Sequence, residues 1–414
     1  MCLHHRHASP CPAIRGGFNH SNTAIGDAGL SKAGLPRRWQ AEPVPGSICD
    51  ILPSVAAVLG VPGATDELGL IECIGDARRV AVVLVDGLGY HLLPQLLPDA
   101  PLLASVMAGR TGRLTELSCT FPSTTPTSLV SLGTGVGPGE HGVLGFTVNI
   151  PGTDRVLIHI AWGDDPPPAM WQPVPTWFER LSQADVSARA VLPAAFIDSG
   201  LTQAAYRGAA WCPLATGDDA AAALSAQLAA APGLVYGYTA ALDHAAHVWG
   251  IGSQPWCAAA AEVDALLCRL VENLPPDAAL VVTADHGGLN VPEQARIDIA
   301  SEPQLREGIR VLAGEPRIRY LYTEPGAAPD VLDTWRQRLA GRARVQSRDE
   351  AVAAGLFGPV RPRNLARVGD IVVTCTGDNA ILATGYEPPQ VAQLVGFHGG
   401  DTPVETAIPL IVFR

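Results

Sequence analysis

Three acidic positions in this sequence follow closely on continuous apolar runs and stand beside glycine or histidine. They are Asp86-Gly87-Leu88-Gly89 after residues 80–85, Asp285-His286-Gly287-Gly288 after 279–284, and Asp243 with His247 shortly after 234–239. A carboxylate or imidazole at the end of a buried strand costs free energy unless it meets a metal ion or a hydrogen-bond partner. Asp243 and His247 are four residues apart, so one helical turn places both on one face, a spacing suited to sharing a metal. His244 would point elsewhere and reads as structural. Asp86-Gly87 alone is only a turn signal. His398, within Gly396-Phe397-His398-Gly399-Gly400, lies where backbone can approach a ligand closely. Beside two Asp/His groups it supplies the missing third ligand of one site.

Residues 119–143, CTFPSTTPTSLVSLGTGVGPGEHGV, hold a hydroxyl-rich loop from Pro122 to Thr125 that feeds a short apolar helix. A hydroxyl at a helix N-terminus beside a metal can act as an alkoxide nucleophile, because dipole and cation both favour the anion. Capping is the ordinary use of Ser and Thr in such places. The loop by itself leaves both uses open.

Positioning these groups requires a particular kind of scaffold. From Val80 onward, short apolar runs at 80–85, 188–192, 234–239, 279–284, 371–375 and 410–413 read as strands buried on both faces. Helical patterns at 127–133, 174–183, 217–231, 255–273, 329–340 and 348–354 alternate with them. The fold class is therefore α/β, a mostly parallel central sheet flanked by helices, with ligands expected outside the carboxyl ends of the strands. Residues 145–172 read as an irregular excursion over one end of the sheet, and 300–365 as a small α+β insertion of the kind that forms substrate pockets. Residues 1–45, rich in Gly, Pro, Ser, His and Arg, read as a loose tail in which His4, His5 and His7 complete no metal site.

Composition narrows the chemistry. With 414 residues, 47% hydrophobic and 16% charged, the chain is globular. Its net charge of −12 argues against nucleic acid polymers and anionic membranes as main partners. A small anionic substrate stays compatible, since bound cations would reverse the local field. Lys32, the single lysine, lies in the tail, which removes Schiff-base and Walker-type phosphate chemistry. Nine cysteines without a Cys-x-x-Cys pair, among them Cys73, Cys119, Cys268 and Cys375 in apolar surroundings, read as free thiols. No apolar window is long enough for a membrane span and no signal-peptide region is visible, so the expected compartment is the cytoplasm.

Taken together, the pattern resembles the alkaline phosphatase superfamily, in particular its type I phosphodiesterase/nucleotide pyrophosphatase branch. The resemblance runs from about Val80 to Pro409. It rests on six motifs in order: Asp86-Gly87, Pro122-Ser123-Thr124-Thr125, Thr134-Gly135 through His141-Gly142, Asp243 to His247, Asp285-His286-Gly287 and Gly396 to Gly399. It implies that residues 46–414 form an alkaline-phosphatase-like catalytic domain acting on a small phosphate ester. It further implies one zinc on Asp243, His247 and His398, and a second on Asp86, Asp285 and His286 with the Thr125 oxygen. Mn2+ or another divalent ion could replace zinc. The family register selects Thr125 as nucleophile over Thr120, Ser123 and Thr124. Ser128 stands where the family usually carries an Asn three residues after the nucleophile, and many relatives are exported.

Related chemistries fit less well. Sulfatases need a Cys or Ser two residues before Pro and an Arg two after it, which Cys119-Thr120-Phe121-Pro122-Ser123 does not provide. A phosphoglycerate-mutase-like relative would use a serine nucleophile and basic residues. A phosphomonoesterase on the same site and a non-catalytic phospho-ligand binder are the alternatives, the second disfavoured because every expensive buried ligand is present.

Overall fold

The computed structural model describes residues 46–414. The expected tail, with His4, His5, His7 and Lys32, lies outside the described residues.

The apolar runs at 80–85 and 279–284 become the Arg79–Val85 and Ala278–Thr283 strands at the centre of a seven-stranded sheet. Every residue of Ala278–Thr283 is buried, as helices on both faces require. Across the sheet the strands are Arg113–Ser118, Ala407–Phe413, Ala278–Thr283, Arg79–Val85, Gly233–Thr239, Ala188–Pro193 and Ala210–Leu214. Pairing is parallel throughout the five-strand block from Ala278–Thr283 to Ala210–Leu214. The Ala407–Phe413 strand runs antiparallel to both of its neighbours.

The helices that cover the sheet follow from apolar spacing. In Gln254–Glu272, Trp256, Ala260, Val263, Leu267 and Leu270 recur at three- and four-residue steps and are buried, while the Ser253 side chain accepts from Trp256 N–H to cap the first turn. The Thr125–Thr134 helix meets a second helix, Gly200–Tyr206, backbone to backbone. A Cβ at Gly133 would lie 1.8 Å from the Ala205 carbonyl oxygen, so only glycine permits that approach.

Two expectations need correction. Residues 371–375 do not belong to the central sheet. The Ile371–Cys375 strand lies in a separate antiparallel sheet ordered Ile309–Glu315, Ile318–Thr323, Ile371–Cys375, Ala343–Ser347. That sheet has its own core of Leu321, Val331, Trp335, Ile371 and Val373, and an apolar run reads the same whichever core it fills. The strands Arg113–Ser118 and Ala210–Leu214 were not foreseen. Both lie at sheet edges, and their half-exposed residues blur the buried-strand signature.

The 145–172 segment contains a short hairpin of Thr147–Asn149 and Val156–Ile158 followed by single helical turns. The described cysteines, Cys73, Cys119, Cys268 and Cys375 among them, are free. Among the described residues, no helix is long and apolar enough to cross a membrane.

Candidate active site

Asp86 directly follows the Arg79–Val85 strand, and Asp285 follows its neighbour Ala278–Thr283 after one residue. The two carboxylates therefore emerge side by side at the carboxyl end of the sheet. The loops carrying them touch through backbone: a Cβ at Gly287 would lie 2.1 Å from the Val404 oxygen and 3.0 Å from Gly89 Cα. That contact is why glycine stands at 89 and 287, whereas Gly87, at φ 74°, is held to glycine by its backbone angle and by Asp243, whose Cβ would lie 2.9 Å from an added Cβ. Gly87 N–H donates to Asp285 Oδ1 at 3.1 Å, locking one loop to the other.

Asp243 and His247 project from the Ala241–Trp249 helix, one turn apart, with His247 Nε2 3.2 Å from Asp243 Oδ2. His398 arrives from the far end of the chain. The two-residue strand Gly396–Phe397 pairs with Leu289–Asn290, just past Asp285-His286, and Val395 N–H donates to the His247 carbonyl. This pins the late glycine-rich loop between the other two motifs.

All seven expected site residues are brought together. Asp86, Asp285 and His286 offer ligand atoms within 4.8 Å of one another, as do Asp243, His286 and His398. His286 Nε2 lies 3.5 Å from Asp86 Oδ1, 3.4 Å from Asp285 Oδ2 and 3.1 Å from Thr125 Oγ1. His247 joins through His398, Nε2 to Nε2 at 3.1 Å. The imidazoles of His286 and His398 stack with centroids 3.7 Å apart, so His286 borders both groups. His244 is exposed and stands edge-on to Trp249.

The hydrogen bonds behind these side chains orient them inward. His247, His286 and His398 each place Nδ1 against a backbone carbonyl, of Gly396, Gly287 and Ser123, at 2.8, 2.8 and 3.0 Å. That fixes the proton on Nδ1 and turns the Nε2 lone pair toward the shared space, the arrangement of metal-binding histidines. Asp86 Oδ1 and Asp285 Oδ2 are buried without a hydrogen-bond partner. Burial, then mutual repulsion, pushes Asp86 well above the carboxylate range, and burial with the Asp243 charge pushes Asp285 up to about 7. His398 is held well below the usual imidazole value by burial and by the neighbouring His286. Burial would lower His247 too, but Asp243 overrides it and raises that ring to about 9. Crowded carboxylates and inward lone pairs of this kind are a donor set that fits divalent cations.

Thr125 opens the Thr125–Thr134 helix, whose N-cap is Thr124 in extended conformation and whose end is turned by Gly135 at φ 74°. Of the neighbouring hydroxyls, Thr120 Oγ1 donates to the Pro122 carbonyl and Ser123 Oγ to the Gly400 carbonyl. Thr124 Oγ1 has no partner. Thr125 alone among these four hydroxyls reaches the Asp/His cluster.

A family profile described as type I phosphodiesterase / nucleotide pyrophosphatase matches residues 80–401. The chain belongs to that family. It is a phosphoric ester hydrolase of the type I phosphodiesterase class. A search of the curated proteins returns no match. Among solved structures, murine ectonucleotide pyrophosphatase / phosphodiesterase 5 superposes with a TM-score of 0.63 at 19% identity, covering 80% of this chain and 87% of that one. The same murine protein, in an inactive threonine-to-alanine form in complex with AMP, covers 81% of this chain and 87% of that one at 19% identity and TM-score 0.63. Phosphonoacetate hydrolase from Sinorhizobium meliloti 1021, in complex with phosphonoacetate, gives 0.62 at 19% identity, covering 82% and 90%. These likenesses establish a shared fold.

Within this phosphodiesterase-family framework, several residues that the sequence did not single out support the cluster. Tyr238, at the carboxyl end of the Gly233–Thr239 strand, donates its hydroxyl to Asp86 Oδ2, and burial keeps that phenol protonated. Its place at a strand end beside Asp86 is the signal that could have found it. Ser123 Oγ accepts from Gly399 N–H at 3.1 Å, so one serine binds the nucleophile loop to the His398 loop by side chain and carbonyl together. Ser128 is buried with its hydroxyl 2.9 Å from Thr120 Oγ1, a loop-bracing contact. His141 braces the nucleophile helix through Ser131, Nε2 to Oγ 2.9 Å, and burial lowers it to about 3, so it stays neutral.

Proposed function

We propose that this protein hydrolyses phosphodiesters or nucleotide pyrophosphates through a phospho-threonine intermediate on Thr125, at a site holding two zinc ions. Asp243, His247 and His398 would hold one ion, and Asp86, Asp285 and His286, with the Thr125 oxygen, the other. Bound cations supply charge to neutralise the phosphate and lower the pKa of a nearby hydroxyl. The observation that carries the reading is Thr125 Oγ1 at a helix N-terminus, 3.1 Å from His286 Nε2 and beside buried carboxylate oxygens that have no partner.

The residues divide the work. Thr125 Oγ1 forms the new bond to phosphorus as the leaving ester oxygen departs in line, and the helix dipole favours its alkoxide. Water then cleaves the phospho-threonine bond and restores the hydroxyl. Tyr238 holds the Asp86 carboxylate, and Ser123 keeps His398 and the nucleophile loop in register. The inactive threonine-to-alanine form of the murine relative fits a threonine nucleophile.

A diester is favoured because the site offers little positive side-chain charge. Between Phe121 and Ile150 there is no Arg or Lys. Arg317 and Arg319 are committed elsewhere, Arg317 to Glu405 at 2.9 and 2.7 Å and Arg319 to Glu387 and the Ile381 carbonyl. A monoester carries close to one more negative charge than a diester and calls for a further cation.

The test is removal and return of metal. Protein stripped by chelator should lose turnover of bis-p-nitrophenyl phosphate and regain it with zinc. Full turnover by protein shown to be metal-free would overturn the reading.

A further inference from the structure

Beside Thr125 lies a cleft whose walls are mostly hydrocarbon, with the hydroxyl-bearing residues Ser199, Thr202, Tyr206 and Tyr238 among them. Leu129, Leu192 and Leu201 form its floor, and Ile160, Phe196 and Tyr238 its rim. Its cavity volume is about 100 Å³. Among the described residues, no Asp, Glu, Lys or Arg lines it.

The polar atoms at its walls already have partners. Tyr206 hydroxyl pairs with Tyr236 hydroxyl at 2.7 Å, and Tyr238 hydroxyl donates to Asp86. Ser199 Oγ caps the Gly200–Tyr206 helix by accepting from Thr202 N–H, and donates to Thr202 Oγ1 at 3.1 Å. A nucleobase buried here would present more ring nitrogens and exocyclic groups than the few hydroxyl protons left on these walls, where each hydroxyl is already in one hydrogen bond, can meet. Each edge atom left unpaired weakens binding by about tenfold. A hydrocarbon group carries no such edge.

The rim extends the same surface outward. Ile160 is 53% exposed and Phe196 41% exposed, large apolar side chains in solvent at the mouth of a cleft that contains the nucleophile. Val156 and Ile158, on one face of the hairpin strand that leads into Ile160, are exposed too. Large apolar side chains exposed at the mouth of a concave site favour an apolar ligand group there.

We propose that this cleft takes the hydrocarbon substituent of a phosphodiester, so that the preferred substrates carry an alkyl or aryl ester group and not a nucleoside. The inference rests on the phosphodiesterase reading above and narrows its substrate class. Leu129, Leu192 and Leu201 form the apolar floor, Phe196 and Tyr238 meet edge to face with centroids 6.1 Å apart, and Ile160 closes the mouth.

The experiment compares three p-nitrophenyl phosphodiesters, the methyl, hexyl and thymidine-5′ esters, with zinc saturating. Each methylene that enters the cleft should raise kcat/KM about threefold. The hexyl ester should then exceed the methyl ester by well over tenfold and exceed the thymidine ester as well. Ile160→Asp and Phe196→Ser, both at exposed positions where folding is not at risk, should each cut the hexyl-to-methyl ratio by about tenfold or more. A hexyl-to-methyl ratio near one, a preferred thymidine ester, or an unchanged ratio in both variants overturns the pocket assignment. In each of these outcomes zinc-dependent cleavage of the methyl ester leaves the phosphodiesterase reading standing. No turnover of any of the three esters overturns that reading and the pocket assignment with it.

Discussion

The Nε2 atoms of His247 and His398 face each other at 3.1 Å. Both rings have Nδ1 on a backbone carbonyl, so both Nε2 atoms turn lone pairs toward the same point. Two lone pairs at that distance repel unless a proton or a metal ion lies between them. Asp243, 3.2 Å from His247 and 4.0 Å from His398, supplies the negative charge that favours either occupant. Proton and metal therefore compete for one place, and the same Asp243 charge that raises the affinity of His247 for a proton favours a metal cation there.

His247→Ala should bind one zinc fewer per chain than the wild type and lose most activity. His247 is part-exposed at the end of its helix, so the melting temperature of the metal-free protein should change little. Elemental analysis after gel filtration reads the stoichiometry. An unchanged zinc content would remove His247 from the ligand set.

Thr125→Ala should lose turnover by on the order of a thousandfold or more and still bind metal, since Asp86, Asp285 and His286 remain. Thr120→Ala should cost about 1 kcal/mol of stability, because its hydroxyl bonds the Pro122 carbonyl and meets Ser128. Thr124→Ala, which removes a hydroxyl with no partner, should retain turnover. An active Thr125→Ala beside a dead Thr120→Ala or Thr124→Ala would show that the nucleophile has been misplaced.

The ratio of kcat/KM for bis-p-nitrophenyl phosphate to that for p-nitrophenyl phosphate, at pH 8 with zinc saturating, should exceed one. Arg317 and Arg319 are held by Glu405 and Glu387 and are not free to meet a second phosphate charge. A ratio well below one would replace the diesterase by a phosphomonoesterase on the same cluster.

Arg317→Ala should destabilise the fold by about 3–5 kcal/mol, because it strands the Glu405 carboxylate, fully buried beside it. Glu405 also accepts from Gly400 N–H, so the small sheet and the His398 loop loosen together. Pairing Arg317→Met with Glu405→Leu should recover a large part of the loss. Urea titration of the three proteins measures this, and a loss below about 1 kcal/mol in Arg317→Ala would contradict it.

The sequence by itself determined the elements that depend on neighbours along the chain. Asp86 and Asp285 at the ends of apolar runs, Asp243 and His247 one helical turn apart, and a hydroxyl loop leading into a helix are all local patterns, so their spacing survives folding unchanged. Tertiary structure alone decided how distant segments are matched. The run at 371–375 joined the small sheet, and Ala407–Phe413 entered the large one antiparallel, because an apolar strand is equally well buried in either core until its partners are chosen. Tyr238 on Asp86, Ser123 between two loops, and Arg317 on Glu405 each join residues far apart in sequence. The apolar cleft beside Thr125 gathers Leu129, Ile160, Leu192 and Phe196 from separate segments. No spacing encodes such meetings, since they follow from the packing that buries the most apolar surface while leaving the fewest polar groups unpaired.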